Sequence, residues 1–508
     1  MHRPPRPLGV LLILGVLSTL LIGGRAVAAA CADASHAGGD WPALNHDLSN
    51  TRSQPLEDTI DVTSAPLLAP AWVFSAQDHG ATGQIQSTPT IAEGCAYITT
   101  SSGWVFALNA DSGELVWNER LATTVSGVCC GGTLFAPAVV DGVLFVNVSN
   151  NPETSPDLSG PHVVAMDAHT GQILWRSLNV ASEPGAYTNS SAVYYDGMIF
   201  IGISNPEMGF HYIGGFALVD AETGVIIKRT HTIPEEQSAQ GYAGGAIWST
   251  AAVDPATGYA YAATGQPSDW AGKESERVNA ILKIDLARAR DANGDPVASE
   301  AITNPTFGEI VDARKGTADD PPYIDVDFAA SPNLYHDADG NQMVAAFQKS
   351  GWLHAAHTRH MTPAWSTPLA PFGTALGNYS TTATDGTNIY GVGTYPGQMW
   401  KIDGTTGRPL WVSPVLTTIG GNPVTYANGV VYHADGKGFL DAYDAATGAP
   451  LMHRPMSLDT GGLCTNAGGG VSIARNTVYA ACGDRGVQFN IGPTDDPGGW
   501  IIAYRRPA

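Results

Sequence analysis

The 508 residues carry 47 acids against 25 lysines and arginines, a formal balance of −22 at neutral pH. A surface of that sign repels nucleic acid and anionic lipid, so neither is expected as a partner; an uncharged substrate and a basic redox partner suit it better. The 59 glycines and 34 prolines point to an all-β chain dense in turns, and the length, which would ordinarily suggest several domains, is taken up by repeats.

In chain order, the first feature is a leader. Arg3 and Arg6 precede an apolar run over 8–22, and the small residues Ala26-Val27-Ala28 follow. These are the basic, apolar and cleavage regions of an export signal, assigned to 1–30. A membrane anchor is the competing reading, but the run falls short of the ~20 residues that cross a bilayer. No second such run exists, so a domain over 31–508 without a membrane span is expected. Removing the leader takes away Arg3, Arg6 and Arg25 and no acid, moving the balance from −22 to −25. Cys31 then stands near the start; Arg25 and the lack of an aliphatic residue three places before Cys31 argue against lipidation there. Six cysteines in an oxidising compartment favour disulfides. Cys464 and Cys482 flank a hairpin and are expected to pair; Cys31 and Cys95 are left over and free to do so.

One phrase then recurs along the chain. It reads ALNADSGELVW at 107–117 and AMDAHTGQILW at 165–175, with weaker copies at 217–228, 401–411 and 442–452. Two degenerate copies start at Leu282 and at 355, the latter losing the glycine but keeping Trp365. An eighth copy is split between GWIIAYRR at the end of the chain and APAWVFS at 69–75. In each, an apolar strand ends at an acid or its substitute, a glycine supplies the positive φ of the turn, and aliphatic residues with a tryptophan begin the next strand. A second hairpin signal lies upstream of several copies: Glu93-Gly94, Asp141-Gly142, Asp196-Gly197 and Asn428-Gly429. Two hairpins make a four-stranded blade, and blades bury both faces only by closing into a ring. The expectation is an eight-bladed β-propeller, with Trp117, Trp175 and Trp411 docked between neighbouring blades and the two chain ends sharing the last blade.

The repeated phrase resembles the tryptophan-docking repeat of the pyrroloquinoline-quinone (PQQ) alcohol dehydrogenases. Repeats of this type also occur in non-catalytic propellers, including an outer-membrane assembly scaffold, so the repeat settles the fold and leaves the chemistry to residues outside it. Those residues occur in family order. GGAIWST at 244–250 resembles the segment whose tryptophan stacks on the quinone ring, which implies that role for Trp248. IGISNPEMGF at 201–210 and ATGQPSDW at 263–270 resemble the segments that ligate Ca2+, implying Glu207 and Gln266; the family has Asn where Gln266 stands, and an amide oxygen of either residue suits a hard cation. YIDVDFAASPNL at 323–334 resembles the segment of the catalytic base, offering Asp325 and Asp327, with Asp327 preferred and placed also beside the metal. FQKSG at 347–351 resembles the segment whose basic residue reaches the quinone carbonyl oxygens, implying Lys349, where a cation stabilises the charge that develops on reduction.

Adjacent cysteines are rare, and the resemblance implies that Cys129 and Cys130 form a vicinal disulfide against the other face of the quinone. The arginine found shortly after it in better-known members is replaced here by Gly131-Gly132-Thr133. Gln86 and Asn189 stand where many members have Glu and Thr, and are read as polar cofactor contacts. The opening GDWPALNHDLSNTRSQP at 39–55 places the closest resemblance in the polyvinyl-alcohol-dehydrogenase branch. No C-x-x-C-H occurs, so no c-type haem is attached to these residues; electrons would leave to an external acceptor such as a cytochrome c. The expected activity is oxidation of a secondary or polymeric alcohol with PQQ and Ca2+. The alternative is a scaffold propeller that binds protein partners and has lost its cofactor.

Overall fold

The computed structural model describes residues 29–507 apart from 82, 86, 123–134, 150–158, 184, 206–210, 269–272, 298–303, 317–325, 371–378, 418–419 and 484–497. Eight antiparallel sheets form a ring. Blades 1 to 7 take up 90–120, 138–176, 193–231, 252–315, 333–368, 383–412 and 425–455 in turn. Blade 8 combines Ser472–Ala474, Thr477–Gly483 and Gly499–Arg505 with Ala69–Ser75 from the other end of the chain, Ala69 pairing with Arg505 and Ser75 with Trp500. The split eighth copy thus closes the circle as its sequence implied.

The expected turns form. Glu93-Gly94, Asp141-Gly142, Asp196-Gly197 and Asn428-Gly429 have positive φ at both residues, the geometry that matches the twist of a two-residue hairpin. Gly94 is required twice over, because a Cβ there would lie 2.0 Å from the Ala32 carbonyl oxygen. In the degenerate copy at 355–365 the left-handed position falls on Met361, with φ 47°. In the copy from Leu282, a 24-residue excursion between Asp285 and Ile310 replaces the tight turn, and Arg290 is held on Asp285 at 2.6 Å.

Neighbouring blades interlock through the tryptophans. Trp72, Trp117, Trp175, Trp365 and Trp411 donate their indole N–H to carbonyls of the next blade, at 2.8–3.3 Å. Each ring covers a glycine of that blade so closely that a Cβ on Gly113, Gly171, Gly224, Gly407 or Gly448 would lie 2.6–2.7 Å from ring atoms. Blade 3 has Lys228 instead, whose stem covers Gly308 and whose ammonium meets the Phe307 carbonyl and Glu309. Eight hydrophobic clusters result, one in each blade interface. Second strands such as Cys95–Thr99, Met198–Ile203 and Val430–Ala434 are buried throughout, while the outer strand Ile226–His231 alternates between half-buried and exposed.

Residues 39–54 form an element the repeats did not announce. They run along the innermost strands as a floor to the ring, and strands that would otherwise present unpaired edges to the central channel are hydrogen-bonded to them. Backbone bonds reach Arg475, Ile91, Val139, Val253, Leu334, Thr384 and Tyr426, one residue from each blade except the third. Ser53–Gln54 pair in parallel with blade 7. The Arg52 side chain is fully buried and donates to Val424, Leu44 and Val471 carbonyls, to Asn45 and to Thr425. Burial pulls its guanidinium down to about 9, and all its donors are satisfied by neutral oxygens.

Cys31 is bonded to Cys95, and Cys464 to Cys482. No described helix is long and apolar enough to cross a membrane. Of the leader expected over 1–30, residues 1–28 lie outside the described residues.

Candidate active site

In an up-and-down blade, the link into the innermost strand and the exit of the second strand lie at the same end. Four of the residues singled out above fall on such segments. Trp248 precedes blade 4, Gln266 leaves its second strand (Tyr259–Ala263), Asp327 precedes blade 5, and Lys349 turns from Gln342–Phe347 to Trp352–His357. The main chain ties these segments side by side. The Gly265 N–H donates to Ala246 O at 2.8 Å, Phe328 to Thr264 at 3.2 Å, and Lys349 to Asp327 at 3.0 Å.

Three of the side chains, those of Trp248, Asp327 and Lys349, converge. Lys349 Nζ lies 2.8 Å from Asp327 Oδ1 and 4.7 Å from the centre of the Trp248 ring. Asp327 is wholly buried and Lys349 is 7% exposed. A carboxylate at such depth keeps its charge when a cation stands beside it, and the pair here is completed by the indole face. Gly265 keeps the floor of this corner bare: a Cβ on it would lie 3.5 Å from both Asp327 Oδ2 and Trp248 Nε1, in ordinary contact with each.

The turn carrying Lys349 is braced from behind. Gln348 Oε1 accepts from Ser350 Oγ at 2.8 Å and pairs with His354 Nε2 at 2.9 Å, while His354 Nδ1 meets Ser366 Oγ at 2.8 Å. Burial drives the His354 imidazole down to about 3, so it is neutral, with its proton on Nε2 facing the amide oxygen. Nothing in the linear order of Gln348, His354 and Ser366 announced this brace; it follows from the cross-strand register of blade 5, in which His354 pairs with Ser366.

Whether these residues suit a polar aromatic guest can be judged from their buried polar atoms. Gln266 Oε1 and Trp248 Nε1 are buried and accept or donate no hydrogen bond within the described protein. Both amide atoms of Asn205 share that condition, as do the hydroxyls of Ser149 and Ser268. Orphaned polar atoms are costly unless a partner arrives, and these gather at the same end of blades 2 to 4. Asn205 was not singled out in sequence, although it stands two residues before Glu207. It follows Ile203, whose carbonyl accepts from Ile247 at 3.1 Å, and so sits beside the platform segment. The set fits a flat guest with several acceptor and donor groups.

Asn189 lies half-buried in the link into blade 3, at the same end. Gln86, Cys129, Cys130, Glu207 and Asp325 lie outside the described residues. Among the described residues no group of three or more His, Cys, Asp or Glu is placed to hold a metal; Gln266 and Asp327 are the described donors nearest such a role. Lys349, expected to reach for a cofactor oxygen, is placed on the carboxylate of the expected base.

Fold and site define an eight-bladed propeller of the tryptophan-docking class in which a buried ion pair meets a tryptophan at one end. A family profile described as "Outer membrane protein assembly factor BamB" matches residues 59–304 and 338–492. The chain belongs to that PQQ-repeat family. A "Polyvinylalcohol dehydrogenase" from a Pseudomonas species is 26% identical over 411 residues, covering 76% of this chain and 57% of the relative. Another of that name from a Sphingopyxis species is 25% identical over 518 residues, covering 90% of this chain and 75% of the relative. The chain therefore spans little more than half of one of these relatives and three quarters of the other. Among solved structures, a "Europium-containing methanol dehydrogenase" superposes with a TM-score of 0.71 at 18% identity, over 92% of this chain and 98% of that one. Identity that low speaks to the fold alone.

Proposed function

We propose that the chain is an exported quinoprotein alcohol dehydrogenase of the polyvinyl-alcohol-dehydrogenase type, using PQQ and Ca2+ and passing electrons to an external acceptor such as a cytochrome c. The observation that carries this reading is the Asp327–Lys349 pair set against Trp248. It combines a buried base, a cation and a stacking face in one corner. Trp248 offers the platform, Lys349 the positive charge, and Gln266, Asn205 and Asn189 the polar contacts; Gln266 and Asp327, with Glu207, would supply oxygens to a divalent cation. Cys129 and Cys130 are assigned to the opposite face, Gln86 to a polar contact, and Asp325 remains the second choice as base.

PQQ, when bound, supplies the two-electron acceptor for the hydride of the alcohol carbon. Asp327 takes the hydroxyl proton, and its burial keeps bulk water from competing for that position. Lys349, held by the Gln348–His354–Ser366 brace, stabilises negative charge developing beside it. The two disulfides and the leader support export to an oxidising compartment.

The family description favours a second reading, a scaffold for partner proteins. One experiment separates them: reconstitute the purified protein with PQQ and Ca2+, and follow reduction of an artificial dye with secondary alcohols and with polyvinyl alcohol. Alcohol-dependent dye reduction is expected. Absence of both PQQ binding and turnover would leave the scaffold.

A further inference from the structure

The floor segment reaches the two links that carry Trp248 and Asp327 through a side chain, that of Asn50. Asn50 is 3% exposed and has φ 55°, a left-handed conformation that Asn tolerates better than most residues. Its side-chain amide has two N–H bonds and uses both. One donates to Thr250 O at 3.0 Å and the other to Pro332 O at 2.9 Å. Thr250 lies two residues after Trp248, and Pro332 five after Asp327. The Asn50 carbonyl in turn accepts from Asn333 Nδ2. The same two segments are joined directly, since the Thr250 N–H donates to Ser331 Oγ at 3.1 Å.

We propose that Asn50 is a positioning residue: its amide clamps the platform segment of blade 4 to the base segment of blade 5, fixing Trp248 relative to Asp327 and Lys349. The inference rests on the reading that these residues hold PQQ, but the clamp itself is a property of the protein alone. The same floor supplies a matched control. Gln54 Nε2 also donates to two main-chain carbonyls, Asp40 O at 2.8 Å and Ile473 O at 3.0 Å. Ile473 belongs to blade 8, away from Trp248 and Asp327. Loss of the Asn50 amide removes two hydrogen bonds and loss of the Gln54 amide three, because Gln54 Oε1 also accepts from the Leu56 N–H at 3.2 Å; a merely structural role therefore predicts consequences at least as large for Gln54→Ala.

The test compares Asn50→Gly, which keeps the left-handed backbone, with Gln54→Ala. Three quantities are read: melting temperature, amide hydrogen exchange by mass spectrometry, and PQQ affinity from tryptophan quenching. Both variants are expected to melt lower. Only Asn50→Gly should speed exchange across 246–250 and 326–334, weaken PQQ about tenfold and lower kcat with little change in KM for alcohol. Ser331→Ala, which removes only the tie from the Thr250 amide, is the milder form if Asn50→Gly does not fold; the same changes are expected at about threefold. Unchanged exchange in those two segments, or equal weakening of PQQ by Gln54→Ala, overturns the clamp. A wild-type protein that fails to bind PQQ overturns the proposed function instead, and the exchange comparison then still decides on Asn50.

Discussion

Lys349 and Asp327 form an ion pair at 2.8 Å with almost no exposure to solvent, and the ammonium of that pair rests 4.7 Å from the Trp248 ring centre. Removing one member of a buried pair leaves the other uncompensated, which typically costs about 3–5 kcal/mol. Lys349→Ala is therefore expected to destabilise strongly, and Lys349→Met with Asp327→Asn to destabilise less than Lys349→Ala alone. Urea unfolding of the two variants beside the wild type checks this.

Asp327→Asn keeps the shape of the side chain and removes the base. Turnover with PQQ and a secondary alcohol should fall by about 10²–10⁴-fold, with PQQ binding retained. Loss of binding together with turnover would show that Asp327 holds the cofactor rather than the proton.

Trp248→Ala should weaken PQQ while leaving the fold intact, because this indole lies outside the docking phrase. Trp411→Ala should do the reverse. It empties the face that covers Gly448 and breaks the 3.1 Å bond to Ala445 O, and a cost of about 3 kcal/mol is expected. Calorimetry and cofactor titration on both variants separate the two kinds of tryptophan.

Buried His354 and His162 are both held well below the usual histidine range by desolvation, to about 3 and about 4. Unfolded, each binds its proton near pH 6.5. The unfolded chain thus holds more protons than the folded one as pH falls from 6.5 towards 4, so stability declines on acidification across that window, by up to about 1.4 kcal/mol per pH unit for each histidine. Melting curves at stepped pH should show this slope, and His354→Gln should reduce it.

Much of the ring was legible because its determinants are local. A glycine three or four residues after an apolar strand, or an Asp-Gly between two of them, specifies a turn within a handful of residues. Arg475-Asn476 makes the same two-residue turn, with φ 54° at both, and escaped notice because neither residue is glycine. The floor over 39–54 escaped for another reason. Its order comes from hydrogen bonds to residues up to several hundred positions away, and such a segment has no period to read. Trp248, Gln266, Asp327 and Lys349 were singled out through family order, and the structure brings their segments to one end. Their partnerships were not legible, since Lys349 meets Asp327 only once the link into blade 5 and the turn between its second and third strands come to the same end. Asn205 and the His354 brace depend on that same convergence.

The pairing of Ala69–Ser75 with Gly499–Arg505 also has a meaning in time. A ring sealed by strands more than 420 positions apart cannot be completed until Gly499–Arg505 has been made. Until then the strands Ala69–Ser75 and Thr477–Gly483 stand as two open edges facing the same gap. Loss of Gly499–Arg505 would prolong that interval indefinitely, so this strand acts as a latch whose absence turns a closed ring into a template for association.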